Sequence, residues 1–404
     1  MKANPAYLVI LAGVSAALHV GKLSPALPIL RESLGVSLMQ AGFLLSLVQL
    51  CGMLLGLVVG GAADGWGLRR TLVTGLLLLG MASCLGALAP DANTLLCTRA
   101  LEGLGFLLVI MPAPSLMRQL VEPQRLSKMM GMWGTFMPLG TGLALLCGPL
   151  VIATIDWQGW WWALSGLSFV MAFWIWRRVP SDGAHTPAAN LDTHDLAAQH
   201  WRGRLMLTLR SPGPWLVALS FAVYSAQWLA VIGFLPVIYA QAGFAATSTA
   251  LLTSVVAAVN MLGNIASGRL LSRGMAAHHL LYVGCTVMGL GACLAFQEGG
   301  VRWLLGDAEA TVRFLAVLMF SMVGGVIPGT LFTLAVRLAP TPKTVSTTVG
   351  WMQQWSATGQ FLGPPLVAWV AAGVGDWHLT WLVTGACALA GLFLARQIGR
   401  RMRG

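Results

Sequence analysis

Apolar residues run along this chain in long unbroken blocks divided by short polar breaks. The first six blocks lie at 6–28, 37–62, 71–90, 94–116, 128–152 and 159–176. A polar stretch covers 177–211, and six more blocks follow at 213–239, 248–271, 279–297, 312–336, 346–372 and 378–397. About 20 apolar residues is the length a helix needs to cross the hydrocarbon core of a bilayer. The pattern therefore predicts an all-α membrane protein with twelve transmembrane helices in two six-helix bundles. The expected divisions are an N-terminal bundle over 1–176, a cytoplasmic linker over 177–211 and a C-terminal bundle over 212–404. The first block starts directly after Met1 and Lys2, with no small-residue cleavage site leading into a polar mature chain. It is expected to be a retained first helix, not a signal peptide.

Composition strengthens this picture. Of the 404 residues, 57% are hydrophobic and 9% charged, against about 25% charged in a soluble domain. The formal charge of +11 would suggest nucleic acid, but the positions of the basic residues exclude that reading. With the N-terminus in the cytoplasm, all but Lys22, Arg31, Arg99, Arg302 and Arg313 of the 24 lysines and arginines fall in cytoplasmic segments. The charge is thus a topology signal facing anionic lipid. Trp157, Trp160, Trp161 and Trp162 at the outer start of span six, and Trp174 and Trp176 at its inner end, are expected in the two headgroup zones. The seven cysteines all lie in apolar blocks, form no CxxC pair, and read as small packing residues. His185, His194 and His200 in the linker fit no metal-ligand spacing, and the segment reads as a flexible tether.

The loop between spans two and three reads Gly60-Gly-Ala-Ala-Asp64-Gly-Trp-Gly67-Leu-Arg69-Arg70. Gly60 permits a close helix contact, Gly67 a tight turn, and Asp64 can pair with a cation or cap a helix. This run resembles the G-x-x-x-D-R-x-G-R-R signature of the major facilitator superfamily, with Gly65 and Leu68 departing from it. Arg99, Glu102, Gly103 and Gly105 in span four are similar to that family's R-x-x-x-G pattern. Gly140, Gly142 and Gly148-Pro149 in span five resemble its antiporter motif. Gly268-Arg269 stands where the loop signature would recur in the second half, and Gly363-Pro364 echoes Gly148-Pro149. The run through Arg99–Phe106 and Met111–Pro114 looks most like the branch containing cyanate transporters and nitroimidazole exporters. The resemblance implies two related halves, with Gly60, Asp64, Gly67, Arg69, Arg70, Gly148, Pro149 and Arg269 in gating roles. There is no GxxxxGK[ST] loop for an ATP-driven pump.

Charges inside a span cost roughly 2.5–3.5 kcal/mol each on insertion scales, so each needs a reason. His19 and Lys22 are three residues apart on one face of span one. They either present positive charge to an anionic substrate in a central cavity, or Lys22 snorkels outward while His19 bonds a nearby carbonyl. Arg99 and Glu102 are also three apart, on span four. They either neutralise each other, or Arg99 holds substrate while Glu102 titrates and couples transport to protons. Tyr224, Gln227 and Trp228 in span seven, Asn260 in span eight, and Gln353, Gln354 and Trp355 in span eleven suit a polar ligand with an apolar part; the alternative is helix-to-helix hydrogen bonding.

These readings converge on a secondary transporter, not an enzyme, that moves a small organic or inorganic anion by alternating access with proton coupling. The alternative is a proton-driven exporter of a small metabolite, drug or siderophore. The expected partners are the substrate, protons and the lipid bilayer, with no nucleic acid, cofactor or metal. The chain is expected to act as a monomer in a bacterial inner membrane, with both termini cytoplasmic.

Overall fold

The computed structural model describes residues 5–122, 129, 132–181, 193–297, 309–341 and 344–403, with the side chains of 60–65, 193–201, 346 and 403 left out. Among the described residues the secondary structure is helical throughout. Helix α1 spans Pro5–Ser33. Helix α2 runs as Leu38–Ser46 and Leu50–Trp66 around a single 3-10 turn. Then come α3 (Leu68–Ala87) and α4 (Ala92–Leu120). Helix α5 (Phe136–Arg178) is 43 residues long, about 65 Å at 1.5 Å per residue and too long for one crossing. It breaks at Ile155 and Asp156, which leave helical geometry, so its two arms are two spans. The remaining helices are α6 (Thr193–Arg210), α7 (Pro212–Gln241), α8 (Ala246–Ser272), α9 (Ala277–Phe296), α10 (Glu309–Arg337), α11 (Val345–Val374) and α12 (Thr380–Arg403). Leaving out α6, and counting the two arms of α5 separately, the described residues make twelve membrane-length segments.

Two sequence expectations need correction here. Part of the linker is helix α6 rather than loose chain; the side chains of His194 and His200, and all of His185, lie outside the described residues. Trp157, Trp160 and Trp161 are buried, not set in a headgroup belt, and of that group Trp162 is the exposed one. The reason lies in their partners, described below. At the other end Trp174 and Trp176 are exposed beside Arg177 and Arg178.

With lipid as solvent, helices gain little from hiding apolar surface, so close backbone approach through small residues holds them together. On α11, Gly359 and Gly363 lie one helical turn apart and press on the carbonyls of Ala222 and Ala226 of α7; a Cβ at either glycine would collide with them. Gly263 and Gly325 do the same reciprocally between α8 and α10. Gly140 rests on Val14 and Ala17, and Gly148 on Pro25, which joins the first arm of α5 to α1. Gly67, at φ 99°, makes the tight turn between α2 and α3 that a side chain would strain.

Helix α2 packs on α11, the first arm of α5 on α8, and the outer part of α1 on α7. At the end away from the arginine-rich loops these contacts close into an apolar seal containing Leu27, Leu30, Leu45, Phe234, Ala368 and Trp377. Leu45 meets Gly233, and Gly42 meets Pro365 and Ala368.

Candidate substrate cavity and buried charge cluster

Toward the arginine-rich end, the same helices part around a cavity of about 120 Å³. Its wall comes from α2 (Gln49), α4 (Phe106, Met111), Trp133 just before α5, α5 (Phe136), α7 (Phe221, Tyr224, Ser225, Trp228), α8 (Asn260, Asn264), α10 (Phe332) and α11 (Gln353, Ser356, Gln360). No charged side chain stands among these lining residues. Aromatic rings and Met supply flat apolar surface, and amides and hydroxyls supply directed hydrogen bonds, the usual make-up of a small-molecule site.

The polar groups are held in place before any ligand arrives. Asn260 Nδ2 donates to Tyr224 Oη at 3.0 Å and to the Ser321 carbonyl at 2.8 Å, while its Oδ1 accepts from Asn264 Nδ2 at 3.1 Å. Trp228 Nε1 donates to Ser321 Oγ at 3.2 Å. Gln49 of α2 donates to Gln360 of α11 at 3.0 Å, so one amide pair crosses the cavity roof. Gln49, Ser356 and Gln360 were not among the residues singled out in the sequence, although each is a polar residue in an apolar span. The aromatics Trp133, Phe136 and Phe332 carry no such signal, because an aromatic in a span is ordinary.

His19, Lys22, Arg99 and Glu102 lie elsewhere. The expectation that the three basic residues face a central cavity is not met: all four are at most 1% exposed, enclosed by α1, α3, α4 and the second arm of α5. Nor does Lys22 snorkel outward. Its ammonium pairs with Glu102, donates to Ser83 Oγ at 2.9 Å and sits 4.5 Å over the Trp161 ring. Arg99 Nη1 donates to the other oxygen of Glu102 at 2.6 Å and to the His19 carbonyl at 2.5 Å, and Nε and Nη2 reach the carbonyls of Leu44 and Val20. His19 Nε2 shares a 2.8 Å hydrogen bond with Ser168. Trp160 Nε1 donates to the Lys22 carbonyl at 3.2 Å, which explains why these tryptophans turn inward. The carboxylate thus takes one cation on each oxygen, and the cluster holds two cations against one anion.

The other singled-out residues divide. Tyr224, Trp228, Asn260 and Gln353 line the cavity, whereas Gln227, Gln354 and Trp355 do not. Gln227 is buried with its Oε1 unpartnered among the described residues. Trp355 stacks edge-on with Trp215 and Trp351. Gln354 reaches into α2, accepting from Leu57 N–H at 3.1 Å and donating to the Met53 carbonyl at 2.8 Å. Those two groups are four residues apart and would otherwise bond each other, so the amide is inserted into the helix ladder. Arg69 donates to the Trp176 carbonyl at 2.6 Å, tying α3 to the end of α5, and Arg269 is exposed. Gly148 and Pro149 sit at the α1 contact. The side chain of Asp64 and the surroundings of Gly60 lie outside the described residues.

The sequence profile described as "Major Facilitator Superfamily" matches residues 8–357. The chain belongs to this superfamily. It is therefore a multi-pass membrane transporter and not an enzyme. Among curated proteins it is 25% identical over 82% of its length to the cyanate transport protein CynX of Escherichia coli, covering 79% of that protein. It is 26% identical to the 2-nitroimidazole transporter of the same species, over 70% of each chain. The puromycin resistance protein pur8 of Streptomyces alboniger is 33% identical over 41% of this chain, and this match spans a third of that longer protein. A bacterial homolog of the human lysosomal transporter Spinster shares the fold at TM-score 0.76, with 14% identity and coverage of 98% and 96% of the two chains.

Proposed function

We propose that this superfamily member is a secondary transporter of a small, flat, uncharged solute that binds in the cavity by aromatic contact and amide hydrogen bonds. The observation that carries this reading is the wall itself, rich in aromatic rings and amides with no charged group among the described lining residues. An anion entering there would lose its hydration without meeting a cation. The halves 1–176 and 212–404 rock about the cavity, with the segment 177–211 as tether. The excess of arginine and lysine in the inside segments supports cytoplasmic termini in a bacterium, with the cavity end that carries the arginine-rich loops facing inward. Glu102 is the proton-coupling group, set between Lys22 and Arg99 where α1 meets α4. Gly67, Arg69, Gly148, Pro149 and Arg269 serve the moving contacts, and Gly60, Asp64 and Arg70 complete the loop.

That CynX is named a cyanate transport protein keeps a second reading, a small anion, in view. It is favoured by the surplus cation of the buried cluster. Vesicle transport decides between them. Proteoliposomes are assayed with 2-nitroimidazole and with cyanate under an imposed pH gradient. The first reading expects movement of the nitroimidazole that stops when the proton gradient is collapsed and falls at least tenfold with Asn260→Leu. Transport of cyanate alone, lost with Lys22→Met and unchanged with Asn260→Leu, supports the anion instead.

A further inference from the structure

A second hollow lies outside the transport path. It is an open groove of about 530 Å³ between the start of α7 and the end of α12, lined by Pro212, Trp215, Leu216, Leu219, Gln397, Arg400 and Arg401. We propose that this groove holds the phosphodiester headgroup of one anionic phospholipid, clamped by Arg400 and Arg401.

The first argument is charge. Arg400 and Arg401 are exposed and make no hydrogen bond or ion pair with the described residues. Helix α12 carries Arg396, Arg400, Arg401 and Arg403 with no carboxylate, and α7 carries no acidic residue either. Both guanidinium groups line the same groove, where their like charges favour an anion, and the fork of each matches phosphate oxygens in pairs.

The second argument is depth. Leu389, Phe393, Gln397 and Arg401 are spaced four apart, so they form one stripe down α12. Leu389 is 69% and Phe393 61% exposed, an apolar surface for hydrocarbon. The stripe then passes to an amide and to guanidinium over about 18 Å of helix. A phospholipid matches this order, with acyl chain along Leu389 and Phe393 and phosphate at the arginines. A free anion in water would use the polar end alone.

The third argument is preorganisation. The indole of Trp215 is fixed by its N–H bond to the Leu209 carbonyl at 2.8 Å and by edge-on packing against Trp351 and Trp355 at 4.9 and 5.5 Å. One wall of the groove is therefore rigid before a lipid binds, which lowers the ordering cost. Anionic lipid is also attracted to basic pockets between spans on the cytoplasmic side.

The test uses the full chain purified in detergent, with phosphatidylglycerol titrated against a phosphatidylcholine background and bound lipid counted by native mass spectrometry. Wild type is expected to retain one phosphatidylglycerol in preference to phosphatidylcholine. Arg400→Gln with Arg401→Gln should weaken that retention on the order of tenfold or more, from about 1 kcal/mol per arginine at a membrane surface. Arg177→Gln with Arg178→Gln, exposed arginines at the end of α5, should leave it intact. Arg400→Lys with Arg401→Lys keeps the charge and should fall between, and it stands in if the glutamine pair does not fold. Equal retention in the Arg400/Arg401 pair, or equal loss in the Arg177/Arg178 pair, overturns the site. Millimolar inorganic phosphate that displaces the lipid and by itself raises the unfolding temperature equally would mean a soluble-anion site and also overturn the proposal.

Discussion

At the scale of single residues, Glu102 stands out among the described residues for its two buried ion pairs. One carboxylate pairs with two cations that are almost fully out of water, and removing one partner of a buried pair typically costs roughly 3–5 kcal/mol. Glu102→Gln is therefore expected to lower the thermal unfolding temperature in detergent sharply, because Lys22 and Arg99 are then buried together uncompensated. Lys22→Met removes the surplus cation and leaves the Arg99–Glu102 pair intact with its three carbonyl contacts, so its unfolding temperature should fall far less. Equal losses from the two substitutions would show that the cluster is not held by charge balance. At the cavity, Tyr224→Phe removes one hydrogen-bonding hydroxyl from the Asn260 network and keeps the ring. Its expected effect is a several-fold rise in KM for transport, about 1 kcal/mol of binding, with expression unchanged. That these polar residues matter was readable in the sequence, since each charge or amide in an apolar span needs a partner. Which partner it has was not. The three-residue spacings of His19 with Lys22 and of Arg99 with Glu102 place each pair on a helix face, but they say nothing about which neighbouring helix that face meets.

At the scale of elements, the helices are held by glycine contacts and by one inserted amide. Gly363 lies against the Ala226 carbonyl with no room for a side chain. Gly363→Val must push α11 away from α7, and overpacking of this kind typically costs 1–3 kcal/mol or more. Loss of the folded, monodisperse fraction on size exclusion is the expected result, while Gly373→Val, where nothing lies near, should behave as wild type. Gln354 was singled out as a substrate contact; its place in the Met53–Leu57 ladder makes it a join between α2 and α11. Gln354→Leu leaves the cavity wall untouched, so substrate binding by the purified protein should change little. The turnover rate should change more, because α2 can re-form its own hydrogen bond and no longer grips α11. A large loss of binding affinity with unchanged turnover would return Gln354 to the substrate site. Apolar length and the break at the polar stretch made the helices themselves legible, with ends displaced by a few residues: span three runs Leu68–Ala87 in α3, not 71–90.

At the scale of the whole molecule, the cavity lies toward one end and an apolar seal closes the other. If transport needs the seal to part, fixing it must stop the cycle. A Cβ at Gly42 would lie 3.0 Å from that of Ala368 and 2.9 Å from the Pro365 Cα, so α2 and α11 must ease slightly apart to admit it, within reach of a disulfide. Gly42→Cys with Ala368→Cys, in a background lacking the seven native cysteines, should therefore crosslink on oxidation and abolish transport until a reductant is added. Undiminished transport by the oxidised, crosslinked protein would argue against alternating access through this end. By itself the sequence determined the environment and the count of elements, because transfer from water to lipid depends on composition and length, both local properties. It likewise determined the superfamily, through loop motifs contiguous in the chain. Tertiary structure alone decided that the basic residues of spans one and four turn away from the cavity, and that the cavity wall is uncharged. Those outcomes depend on how α1 and α4 are rotated against α3 and the second arm of α5, and rotation is set by the summed packing of faces far apart in the sequence.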